Sequence, residues 1–147
     1  MSGPRVDAGL RAVARVRAVR ERDSLLGLQQ AQRELRDREA AVAGLEETVR
    51  AHGAPAAGDR ATFLVQRHAL AATCQALTQA RTAESTARTV ALDAGTHWRG
   101  DHTRVEAVEG LLARRSEHRR AESARLEAAE LDEVATRLWL HRREEDA

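Results

Sequence analysis

The segment Ala51-His-Gly-Ala-Pro-Ala-Ala-Gly-Asp59 decides the fold. Two glycines and a proline within it stop a helix, and Asp59 is a residue type that N-caps the next one. The chain therefore reads as helix, loop, helix. Pro4 sits where a first helical turn tolerates proline, so helix one is expected from about Arg5 to Ala51, roughly 70 Å at about 1.5 Å per residue. Helix two is expected from Arg60 to about Arg143, on the order of 125 Å and far beyond the length of helices in compact domains.

Heptad spacing supports both helices. Upstream of the loop, Leu28, Leu35, Val42 and Val49 recur every seven residues with Ala31 and Leu45 between them, and Val6, Leu10 and Val13 continue an apolar stripe with some phase drift. Downstream, Phe63, Leu70, Leu77, Ala91, Trp98, Val105, Leu112, Leu126 and Leu140 share one heptad position; Ala80, Ala87, Ala94, Val108 and Ala129 occupy the position three residues on. The result is a narrow seam rich in small residues. Gly95 and Gly100 each cost a helix interior about 1 kcal/mol, and a break there would give a three-helix bundle. The phase of Ala91, Trp98 and Val105 keeps step across both glycines, which favours one continuous helix. Near the C-terminus the stripe moves to Leu131, Val134 and Leu138, a stutter or a new surface.

A short connection makes the helices antiparallel. Counting outward from Pro55 sets Val49 near Phe63, Leu28 near residue 84 and Leu10 near Trp98. The expected fold is thus all-α: a long antiparallel two-helix coiled-coil hairpin, one coiled-coil domain over residues 1–147, with the second helix overhanging from about residue 106. Leu10, Leu28, Leu35, Val42, Leu45, Trp98, Val105 and Leu112 are its packing residues. An overhang with an unburied stripe needs a partner, self-association or fold-back.

Composition agrees. Of 147 residues, 30 are Ala, 24 Arg, 16 Leu, 15 Glu and 11 Val, with no Lys, Ile or Tyr. All but Val of these five favour helix, and such mixtures belong to long helices and coiled coils, not to sandwiches, barrels or α/β enzymes. A net charge of +1 gives no global field for nucleic acid or anionic lipid. A lone Cys74 forms no internal disulfide and fits a reducing compartment as a small residue in or near the seam. No apolar run reaches the length of a signal peptide or a membrane span, so a cytoplasmic protein is expected.

Catalysis needs convergent groups in a pocket, which two helices side by side do not offer. No catalytic motif, cofactor site or metal set is expected; His118 and Glu122 have the spacing of two helical ligands but lack a third. Residues 1–22 hold six Arg against two acids, and residues 126–147 three Arg against seven acids. Arg11, Arg15, Arg20 and Arg22 beside Val13, Val16 and Val19 could form a basic amphipathic face for an acidic membrane or nucleic acid, although stacking aromatics are missing and an ordinary coiled-coil terminus explains the same residues. Trp98 reads as a hydrophobic lock opposite Leu10 and Val13. Trp139, between Leu138 and Leu140 on the overhang, reads as an interface residue.

The run Arg125-Leu-Glu-Ala-Ala-Glu-Leu-Asp-Glu-Val-Ala135, with Trp98-Arg99 and Leu111-Leu-Ala-Arg-Arg115 upstream and Arg5-Val6, Leu10, Val16-Arg17 and Glu21 near the start, resembles the flagellar export protein FliJ family over nearly the whole chain. The resemblance implies a soluble component of the flagellar type III export apparatus, similar to the central stalk of rotary ATPases. It also implies the partners: the export ATPase hexamer, whose assembly and activity it promotes, the membrane export gate, and export chaperones. Localisation would be cytoplasmic and peripheral to the membrane at the flagellar base. The ATPase-facing residues would be Glu130, Leu131, Asp132, Glu133, Val134 and Leu138 with Val13, Arg17 and Glu21. Gate contact would fall to Phe63, Leu64, Leu70 and Leu77, since the chain has no aromatic near the hairpin apart from Phe63. The rival readings are a coiled-coil adaptor unrelated to flagella, the equivalent stalk of an injectisome, and a membrane-surface or nucleic-acid binder using the N-terminal arginines.

Overall fold

A computed structural model describes the backbone of residues 3–52 and 58–145 and the side chains of residues 7–52 and 58–144. Val6 and the centre of the connecting loop lie outside those side chains. Helix α1 spans Gly3–Ala51 and helix α2 spans Arg60–Glu145, and no strand occurs among the described residues. α2 runs unbroken through Gly95 and Gly100. Its many threonines are accommodated by donating the hydroxyl to the carbonyl four residues back, as Thr82 does to Thr78 and Thr86 to Thr82, both at 3.1 Å.

The helix ends are capped by local chemistry. The Thr62 N–H donates to Asp59 Oδ1 at 2.8 Å and the Phe63 N–H to the Asp59 carbonyl at 3.1 Å, so Asp59 is the N-cap of α2. The Thr62 backbone N–H, with its hydroxyl second, holds the Asp59 carboxyl below its ordinary value of 3.8. At the end of α1, His52 Nδ1 donates to the Thr48 carbonyl at 2.7 Å.

The two helices pack antiparallel, and their contacts fall into two units. In the unit spanning Arg17–Thr103, the α1 seam is Glu21, Leu28, Leu35, Val42 and Val49, with Ser24, Ala31 and Leu45 between; all are buried or half-buried. The α2 seam is Leu70, Leu77, Glu84, Ala91 and Trp98, with Thr73, Ala80, Ala87, Ala94 and Asp101 between. Ala31, Val42 and Ala87 are the tightest apolar points, each 8% exposed. Register is read from cross-helix pairs: Arg81 to Glu46 at 2.8 Å, Arg88 to Glu39 at 3.3 Å and His102 Nδ1 to Glu21 at 2.7 Å.

That register corrects the pairing counted from Pro55. Arg81, not a residue near Phe63, stands by Glu46, and the Leu28 side chain lies beside Gly95, not residue 84. The shift is about two heptads. A slip by whole heptads leaves every seam residue on the seam, so periodicity identifies the buried face and cannot fix which layers meet. Trp98 accordingly lies at the level of Glu21 to Leu28: it stacks on His102 at 5.2 Å, and His102 bonds Glu21.

In the second unit, formed by residues 1–16 and 104–147, the described pairing involves Asp7–Val16 and residues 104–119. Asp7 is fully buried, with Arg119 Nη1 at 2.5 Å from Oδ2 and Arg115 Nη1 at 3.4 Å from Oδ1. Val105 is buried; Leu10, Val108 and Leu112 are half-buried. Pairing inside the chain thus continues to Arg119 instead of ending near residue 106. The expected drift of the α1 stripe is also absent, because Asp7, Ala14 and Glu21 stay in step with Leu28 at seven-residue intervals while Val13 stands 46% exposed. Polar seam residues with partners across the seam keep the phase that a count of apolar residues loses.

Candidate functional site

From Arg120 to Glu144 every described residue is exposed. The sequence holds this stretch helical with strong formers and with local pairs: Ser123 to Glu127 at 3.0 Å, and an i,i+4 ion pair between Arg137 and Glu133. Such pairs support the helix weakly and leave its apolar residues uncovered. Leu126 (66%), Leu131 (70%), Val134, Leu138, Trp139 and Leu140 are all at least half exposed. Trp139 carries the Arg143 guanidinium over its ring at 4.8 Å, so its indole is partly covered from within the helix.

This surface combines an apolar stripe with dense charge. Leu131, Val134 and Leu138 recur at three and four residues, which places them on one helical face. Glu130, Asp132 and Glu133 lie beside that face and are exposed; Glu133 already holds Arg137. A stripe of this kind is suited to a protein partner, which supplies apolar cover in the centre and opposite charge at the rim.

The other residues assigned to the same surface are placed differently. Val13 is exposed, whereas Arg17 and Glu21 are half-buried, and the Glu21 carboxylate accepts a hydrogen bond from His102 Nδ1 on the seam. Phe63 and Leu64 are 46% and 51% exposed in the first turns of α2, while Leu70 and Leu77 are half-buried on the seam. Cys74 is exposed, one position past the seam residue Thr73. His118 stands 3.4 Å from Glu122 on an exposed face, and no group of three His, Cys, Asp or Glu converges among the described residues. The described pockets are shallow grooves on the helix surfaces, one of them lined by Ala31, Arg38, Ala87 and Val90.

Two clusters escaped the reading of the sequence. The first is Asp7 with Arg115 and Arg119; the second is Trp98, His102 and Glu21. The signal for both was heptad phase, since Asp7 and Glu21 occupy the positions of Leu28 and Leu35. A carboxylate at such a position calls for a cationic or hydrogen-bond-donating partner across the seam. Trp98 Nε1 is buried with no hydrogen-bond acceptor among the described residues, so its indole acts as apolar filling.

A family model described as "Flagellar FliJ protein" matches residues 7–144. The chain belongs to the FliJ family. The match begins at the clamped Asp7 and ends at Glu144, so it takes in both paired units and the exposed end. Membership makes the protein a component of the flagellar type III export apparatus. No curated protein and no solved structure matches the chain. No helix among the described residues is long and apolar enough to cross a membrane.

Proposed function

We propose that this FliJ-family chain acts as a stalk-like coiled coil that binds the flagellar export ATPase hexamer and promotes its assembly and hydrolysis. The observation that carries the reading is the exposed stripe of Leu131, Val134 and Leu138 on a helix end that no described residue covers. Glu130, Asp132 and Glu133 supply rim charge, and Val13 adds an exposed apolar residue from α1. Arg17 and Glu21, both half-buried, belong to the same reading, and Glu21 ties α1 to α2 through His102. The family reading extends to a link with the export gate and with export chaperones, with Phe63 and Leu64 the exposed residues for the gate, and to a cytoplasmic location at the membrane face of the flagellar base.

The test is the ATP hydrolysis rate and hexamer fraction of the purified export ATPase from the same genome, with and without this protein. Wild type is expected to raise both. L131D/L138D, which changes only exposed positions, is expected to keep full helicity by circular dichroism and lose the stimulation. Stimulation retained by that variant would move the contact elsewhere, and no stimulation by saturating wild type would overturn the reading.

A further inference from the structure

The start of α2 is bare, as its far end is, but its exposed residues follow a different pattern. Every residue from Arg60 to Ala69 is exposed, and Leu70 is the first to be half-buried. The register explains this: Glu46 meets Arg81, and α1 continues only to Ala51, so it runs out several turns before reaching Arg60. Phe63, Leu64 and Val65 are 46%, 51% and 70% exposed. Being consecutive, they point in directions about 100° apart and clothe most of the helix circumference with apolar surface. A partner helix covers one stripe. A bilayer surface into which the turn sinks covers more than one stripe.

The charge pattern selects the kind of medium. No acidic residue occurs between Asp59 and Glu84, whereas Arg60 and Arg67 both fall there, and neither is in an ion pair among the described residues. The neighbouring acids are engaged: Glu46 with Arg81, Glu47 with Arg50, and Glu84 with Arg88. The Asp59 carboxylate is bound to the Thr62 N–H as the cap. Arg60, Phe63, Leu64 and Arg67 are spaced at three and four residues and so share one helical face, with an arginine on each side of the apolar pair along the axis.

We infer that the first turns of α2 form a membrane-surface contact, in which Phe63, Leu64 and Val65 enter the headgroup–acyl boundary of an anionic bilayer and Arg60 and Arg67 meet its phosphates. One short apolar tip with two arginines gives weak, reversible, salt-sensitive attachment. The inference goes beyond contact with a gate protein and does not depend on ATPase binding.

Co-flotation of the full chain with lipid vesicles tests it. Vesicles of phosphatidylcholine alone are compared with vesicles containing about one-third phosphatidylglycerol, whose surface attracts basic residues. The bound fraction is expected to be about fivefold higher on the anionic vesicles and to fall with added salt. F63S/L64S is expected to drop to the phosphatidylcholine level, and R60Q/R67Q to lose the anionic preference; both alter exposed residues, with helicity checked by circular dichroism. Wild type that fails to float with anionic vesicles overturns the inference. So does flotation that survives F63S/L64S but is lost in R11Q/R15Q, which would move the contact to α1. Unchanged flotation of F63S/L64S combined with lost capture of the gate protein's soluble domain would make the tip a protein contact and overturn it equally.

Discussion

α2 is bare at both ends, and the two bare stretches are chemically opposite. Residues 60–69 contain two arginines and no acid, with apolar side chains spread around the helix. Residues 121–144 contain six acids and four arginines, with Leu131, Val134 and Leu138 confined to one face. Exposure alone therefore says little about what a helix end meets. An acid-free tip with all-round apolar surface is suited to a bilayer, whereas a stripe with a mixed-charge rim is suited to another protein. Between these ends α2 is paired, and the difference between paired and bare is what substitutions can break.

The largest effect is expected where pairing stops. Arg119→Ala leaves the fully buried Asp7 carboxylate with Arg115 alone at 3.4 Å. Removing one partner of a buried charge costs about 3–5 kcal/mol, and because both guanidinium groups are more than a third exposed, the loss here is expected near 2 kcal/mol in urea unfolding. Asp7→Ala is expected to cost less than about 1 kcal/mol, since it removes the buried charge and returns two arginines to water. Hydrogen exchange over residues 104–119 should quicken in Arg119→Ala and stay slow in Asp7→Ala. Equal losses in the two variants would show that the cluster works by packing instead of by charge.

The same alanine-to-leucine change should separate the paired stretch from the bare end. Ala87 is 8% exposed on the seam, so Ala87→Leu overpacks it and is expected to cost about 1–3 kcal/mol. Ala129→Leu, on the exposed C-terminal stretch, is expected to lie within about 0.5 kcal/mol of wild type. Denaturant midpoints for the pair check both. A large effect at Ala129 would mean that residues 120–144 fold against something. Gly95→Ala should raise stability by about 0.5–1 kcal/mol, because a methyl there meets Leu28 Cδ1 and Arg99 Nη1 at 3.8 Å, ordinary contact distances, and restricts the unfolded chain. A falling thermal midpoint in that variant would reveal a seam tighter than its geometry.

How much of this was legible from sequence follows from what a heptad encodes. Two helices, their antiparallel order and the buried identity of Val42, Ala87 and Val105 follow from Gly53, Pro55, Gly58 and seven-residue spacing. Register did not, since Leu28 fits a seam equally well beside residue 84 or beside Gly95. It is set by pairs such as Arg81–Glu46 and His102–Glu21, whose partners are far apart in sequence and carry no local signature. Asp7 was missed for a related reason: read by residue type it looked like surface, and only its phase with Leu28 and Leu35 marked it as seam. The exposed C-terminal stripe could be read from Leu131, Val134 and Leu138, but its extent depended on the same register, and so began at Arg120 and not near residue 106.

The smallest expected effect bears on the basic tip. Asp59 caps α2 through the Thr62 N–H, and that bond holds its carboxyl below 3.8. A carboxyl lowered on folding stabilises the folded state fully above its unfolded value and loses that contribution as pH falls through the folded value. The cap should therefore be intact at neutral pH and weaken only below 3.8, where the carboxyl takes up its proton. Asp59→Asn keeps a capping acceptor and removes the titration, so its helicity should change less than wild type's across that acid window. The comparison is best read by hydrogen exchange at Thr62 and Phe63, whose N–H groups bond Asp59, since the rest of α2 is indifferent to this cap. Matching acid responses in the two proteins would mean that the carboxylate does not hold the first turn. The apolar tip at residues 63–65 would then owe its helical geometry to propensity alone.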